Sequence, residues 1–139
     1  MRRRVHCPSI WLTPLLLTLA FFAYGCSSYK GYHGTACSWE EATLVPQGIV
    51  IRRANSIEIP SSAKRVTVKY GENELWVADQ SSSGQGFNAK PALRLVMIAR
   101  PEQTYSISSR GHDGLICAWE MLPATNQPDF SRSYGCASR

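Results

Sequence analysis

Lys64-Arg-Val-Thr-Val-Lys-Tyr70 decides the fold. Val66, Val68 and Tyr70 fall on one side of an extended chain, and Arg65, Thr67 and Lys69 on the other. That is the two-residue period of a half-buried strand, and valine and threonine suit a pleated surface. Gly71-Glu-Asn73 then reads as a tight turn, with Leu75-Trp-Val-Ala78 as the partner strand.

Outward from this stretch the pattern repeats. Residues 38–44, with Trp39, read as a first strand, followed by the β-branched run 48–52 and the alternating run 56–59. Leu93–Ala99 is apolar apart from Arg94, which predicts a central strand. Residues 104–108, 115–121 and 130–136 complete a set of about eight short strands separated by glycine and proline turns. Such a chain is all-β, a small β-sandwich. It lacks the strand–helix alternation that a nucleotide-binding α/β fold requires. Residues 80–91 form the longest loop, polar and glycine-rich, in which Phe87 is the one large apolar side chain. Phe87 is therefore a candidate partner contact, with tucking onto the core as the alternative.

The 139 residues allow one domain, and 18% charged against 44% hydrophobic residues exclude wholesale disorder. The net charge of +5 overstates the basicity, because Arg2, Arg3 and Arg4 lie in a leader whose removal leaves +2. That is no footprint for nucleic acid. After the three arginines comes an apolar stretch of 15 residues, 10–24, then Gly25 and Cys26. Basic start, short apolar core and small residues make a secretion signal, too short to stay as a membrane span of ~20 residues.

Ala23-Tyr24-Gly25-Cys26 resembles the bacterial lipobox. The resemblance implies a diacylglyceryl group on the thiol of Cys26, cleavage before it and a third acyl chain on the new N-terminus. Ala23 and Tyr24 depart from the preferred pattern. Secretion with cleavage near Ala23, or an uncleaved anchor, are the alternatives. The implied organisation is a signal peptide over 1–25, a lipidated cysteine and tether over 26–35, and the sandwich over 36–139. Ser27 is not the aspartate that retains enteric-type lipoproteins at the inner membrane, so the expected place is the outer membrane, facing the periplasm.

Cys7 leaves with the leader. Acylation of Cys26 leaves Cys37, Cys117 and Cys136, which allow one disulfide; an unmodified Cys26 allows two. The midpoint between Cys117 and Cys136 falls in the loop-like stretch 123–128. A hairpin there sets the two cysteines opposite each other, so this pair is expected, with Cys37 bonded to either one left open. No cysteine or histidine spacing fits a metal, and no cofactor is expected. His33 lies in the tether, and His112 lies in a turn beside Asp113. Glu40 and Glu41, adjacent on a strand, would point apart. No hydrolase, metalloprotease or P-loop motif occurs, and the expectation is a protein that is not an enzyme. Trp39, Trp76 and Trp119 are expected in the core.

Arg52, Arg53, Lys64, Arg65 and Lys69 are the densest basic group. On neighbouring strands they would make one basic sheet face. Arg52, Arg53, Lys64 and Arg65, with Phe87, are the candidate partner-binding residues, facing either an acidic protein or anionic lipid headgroups.

A second resemblance spans residues 57–70, Leu93–Ala99 and Arg100-Pro-Glu-Gln-Thr-Tyr105. Its plan is similar to that of small lipoprotein β-sandwiches, among them the pilot lipoproteins that escort secretins to the outer membrane. The usual glycine of the turn before the tyrosine strand is Glu102 or Gln103 here. The implied function is a non-enzymatic, lipid-anchored envelope protein that binds a protein partner, as an assembly or pilot factor for a secretion system. The alternatives are a periplasmic immunity lipoprotein and an envelope enzyme or glycan-binding module. The last would bring His112, Glu120 and Asp129 to one pocket, or expose an aromatic shelf.

Overall fold

The computed structural model describes residues 28–80, 91–109 and 115–137. Among them are β1 (Ser28–Lys30), a 3-10 turn at Ser38–Glu40, β2 (Glu41–Gln47), β3 (Ile49–Ala54), β4 (Ile57–Glu58) and β5 (Arg65–Lys69). β6 (Gly71–Asp79), β7 (Leu93–Ala99), β8 (Thr104–Ser108), β9 (Ile116–Leu122) and β10 (Gln127–Ala137) follow. One sheet has the order β1-β5-β2-β8-β9-β10 and the other β4-β3-β6-β7. They pack face to face, so the expected all-β sandwich is correct.

Alternation explains the core. Val66 and Val68 of β5 meet Ala42 and Leu44 of β2, all buried, while Arg65 stays exposed. Tyr105 and Ile107 of β8, with Ile116 and Ala118 of β9, continue that inner face. Ile49, Ile51, Leu75, Val77, Leu95 and Met97 line the opposite sheet. Burying each large aliphatic side chain contributes about 1.5–3 kcal/mol.

Strand pairing corrects several expectations. β5 and β6 are not hairpin partners: β5 pairs with β1 and β2, and β6 with β3 and β7. The turn residues mark a switch between sheets. Gly71 takes φ +101°, and the buried Asn73 amide donates to the carbonyls of Lys69 (2.8 Å) and Gly71 (3.0 Å). The side chain thus satisfies backbone groups where the ladder changes hands. β7 is not central: among the described residues it stands at the end of its sheet, paired with β6 alone. Its apolar run is explained by β10, which packs against it. A Cβ on Gly135 would overlap the Val96 carbonyl oxygen.

Residues 28–33 are not a spacer. β1 pairs in parallel with β5, Ser28 in register with Arg65 and Lys30 with Thr67. Gly31 then crosses the open side of the sandwich, where an added Cβ would stand 2.5 Å from Ala54 Cβ. The Gly31 carbonyl accepts from Asn55 Nδ2 at 2.8 Å. Tyr32, also buried, donates its hydroxyl to Glu41 Oε1. Only glycine permits this approach of backbone to core.

Candidate functional site

The hairpin of β9 and β10 carries the expected disulfide: Cys117 and Cys136 are in register, with Cα atoms 4.1 Å apart. The turn is earlier than the midpoint placed it, since Leu122 already pairs with Gln127. Register shifts between Pro128 and Ser133, and between Ser133 and Cys136, lengthen β10 until the cysteines meet. Cys37 is disulfide-bonded as well. Cys117 and Cys136 hold each other, so pairing of Cys37 with either is excluded, and its partner lies outside the described residues.

Polar chemistry concentrates where β10 closes on β8 and β9. Glu120 accepts from the Tyr134 hydroxyl and from Gln103 Nε2. The Glu120 hydrogen bond and burial together raise the Tyr134 pKa above the usual tyrosine value. Arg100 and Arg132 lie 5.3 and 5.4 Å from the Tyr134 ring centroid, and Tyr105 meets it edge to face at 5.2 Å. The Arg100 amide donates to the Tyr105 hydroxyl at 2.9 Å. These contacts hold the closure of β10 on β8 and β9. Asp129 is committed elsewhere, accepting from the Ser131 amide and hydroxyl, which lower its pKa. Glu120 and Asp129 thus serve separate hydrogen bonds, and His112 lies outside the described residues. Among the described residues no group of three or more His, Cys, Asp or Glu could hold a metal ion.

The face of β8 and β9 turned away from the core is also closed. Ser106 stands opposite Trp119 and Ser108 opposite Cys117, all buried. Among the described residues the Ser106 and Ser108 hydroxyls and Trp119 Nε1 have no hydrogen-bond partner. Phe130 packs edge to face on Trp119 at 5.3 Å.

The two ends of the sandwich differ. Trp39 (51% exposed) precedes β2, and Tyr70 (54%) follows β5, where its amide donates to the Glu40 carbonyl at 2.9 Å. Ile98 of β7 and Leu122 of β9, both exposed, lie toward the same end. Lys30 and Lys69 reach over the Tyr32 ring there, at 5.6 and 5.3 Å from its centroid. Burial first, and the Glu41 hydrogen bond second, push the Tyr32 phenol up to about 12. At the other end, beside Ser28, the turns before β3 and β5 enclose a recess of about 510 Å³. Val45, Pro46, Ile49 and Val50 make its apolar side, and Ser61, Ser62 and Lys64 its polar side.

The basic group is not one face. Arg52 and Arg53 belong to the sheet of β3, and Lys64, Arg65 and Lys69 to the β5 side of the other. A register shift between Ile51 and Arg53 lets both arginines project outward. They line a recess of about 320 Å³ with Glu58 and Trp76, so their charge is partly answered locally. Trp119 is buried as expected, whereas Trp76 is half-buried and Trp39 is exposed. Trp39 sits in the 3-10 turn, and alternation therefore assigns it no inward face. Glu40 in that turn accepts from the Cys37 amide at 3.0 Å, and Glu41 holds Tyr32, so they serve separate structural bonds. Phe87 and Cys26 lie outside the described residues. No helix among the described residues is long and apolar enough to cross a membrane.

Comparison with protein families, with curated proteins and with solved structures finds no match to the chain.

Proposed function

We propose that the chain is a non-enzymatic envelope protein, held to a bilayer by an acylated Cys26, that binds a protein partner through the opposite end of its sandwich. An assembly or pilot factor for a secretion system is the concrete form this takes. One observation carries the reading. Trp39, Tyr70, Ile98 and Leu122, four of the five exposed large hydrophobic residues among those described, lie toward the end away from Ser28. Tryptophan and tyrosine are the residues in which binding energy concentrates. A disulfide-stapled sheet presents them at little cost in ordering. The resemblance of residues 23–26 to the lipobox supplies the anchor.

The Cys37 disulfide favours a second reading of the leader, export without acylation, because that leaves Cys26 as a bridging sulfur in the mature chain. The two readings exclude each other, since one sulfur cannot carry both a glyceryl thioether and a bridge. Intact mass of the processed protein separates them. Acyl mass on an N-terminal Cys26 is expected; a bridge joining Cys26 to Cys37 overturns the anchor. For the partner, a photo-crosslinking residue at Tyr70 should trap one defined protein in cells, while the same residue at Arg53 should not. Capture of glycan fragments alone at position 70, or equal capture at both positions, overturns the protein-binding reading.

A further inference from the structure

A single row of side chains crosses the outer face of the four-stranded sheet. Glu58 stands opposite Arg53, Arg53 opposite Trp76, and Trp76 opposite Arg94. Arg52, at the register shift, joins Arg53, Glu58, Trp76 and Ala92 around the recess of about 320 Å³. That is room for a small ligand. The Trp76 ring is held in place: its Nε1 donates to Glu74 Oε1 at 3.1 Å, and Arg94 Nε donates to Glu74 Oε2 at 2.7 Å. These bonds, Arg94 first, lower the Glu74 pKa, so the clamp survives mild acid. The Arg94 charge is thereby engaged. Arg52 and Arg53 are both exposed, and among the described residues neither guanidinium has a hydrogen bond or an ion pair.

Independently of how the leader is processed, we propose that this recess binds an acidic sugar, a hexuronate unit of an anionic polysaccharide. Each part of the recess answers one part of that ligand. Two unengaged guanidiniums take a carboxylate through paired hydrogen bonds. The fixed Trp76 ring offers an apolar platform to the C–H face of a pyranose. Glu58, an acceptor, takes the sugar hydroxyls. An acidic peptide brings no such hydroxyls and sets its carboxylates against Glu58. A nucleic acid strand needs cations that continue along its backbone. On this face Arg94 is followed instead by Val96 and Ile98.

The test is titration calorimetry of the full chain, in mild detergent and low salt, against three probes. They are tri-galacturonate, the neutral maltotriose and a hexaglutamate peptide. Tri-galacturonate should bind and the other two should not. Arg52→Gln with Arg53→Gln, both exposed and so neutral to folding, should weaken tri-galacturonate by about ten-fold or more. Trp76→Leu, which keeps an apolar side chain but removes the ring, should weaken it by about five-fold. Circular dichroism checks that each variant is folded. No heat with tri-galacturonate, or heat that survives the double arginine substitution, overturns the site. Equal binding of maltotriose overturns the carboxylate contact, and equal binding of hexaglutamate overturns the sugar in favour of an acidic protein. None of these outcomes bears on the crosslinking at Tyr70, so the two readings fail separately.

Discussion

The sandwich is closed along two sides, and the two closures are built differently. On one side β10 lies against β7, with Gly135 at the contact and the Cys117–Cys136 bond directly after it. On the other, the segment through Gly31 lies over Ala54, Val66 and Val68 and is held by hydrogen bonds from Asn55 and Tyr32. Both depend on a glycine that lets backbone approach packed atoms. Backbone stands opposite Gly135, whereas side-chain carbons stand opposite Gly31. The first closure therefore cannot yield, and the second can be re-cut.

Breaking the β10 closure should cost most. Gly135→Ala places a methyl on the Val96 carbonyl and strains φ +153°. We expect a loss of about 4–5 kcal/mol, or no soluble protein, in urea denaturation followed by tryptophan fluorescence. A loss under 1 kcal/mol would mean that β10 does not need this approach. Next, Cys117→Ser with Cys136→Ser opens a loop whose ends are 19 residues apart. Its expected cost is about 3 kcal/mol in the same assay.

Gly31→Ala should cost about 2 kcal/mol, and Ala54→Gly should restore part of it, because the two Cβ atoms compete for one space. Additive effects in that double-mutant cycle would separate Gly31 from Ala54. Tyr32→Phe is the gentlest cut, about 1 kcal/mol at neutral pH. Its signature is the pH dependence. Tyr32 has a folded pKa raised from 10.0 to about 12, so its contribution is complete below pH 10 and is lost as pH rises through about 12. The variant should lose the last step of the phenolate absorbance titration and show a shallower fall in alkaline stability.

The asymmetry also marks what could be read in advance. Val66 and Val68 announced their strand and its inward face because alternation is local. Leu93–Ala99 and Thr104–Ser108 were likewise legible at their observed bounds. The disulfide was legible because its two cysteines flank one turn, although the bulges that align them were not. Trp39 misled, since a tryptophan in a polar neighbourhood carries no sign of its exposure until the 3-10 turn is known. Gly31 left no signal either: Lys30-Gly-Tyr32 looks like part of a spacer until Ala54 is set against it. The recess beside Lys64 was half legible, as two cations without their apolar floor.

By itself, then, the amino-acid order determined that this chain makes short strands, which side chains of most strands turn inward, and which two cysteines share a hairpin. Tertiary structure alone decided that β5 and β6 lie in different sheets, that β7 stands at an edge, and that residues 28–33 close the sandwich. The physical reason is that side-chain alternation is written residue by residue. Strand pairing instead joins backbone N–H and C=O groups, which are alike in nearly every residue, so which strand neighbours which is settled only when the whole core is packed.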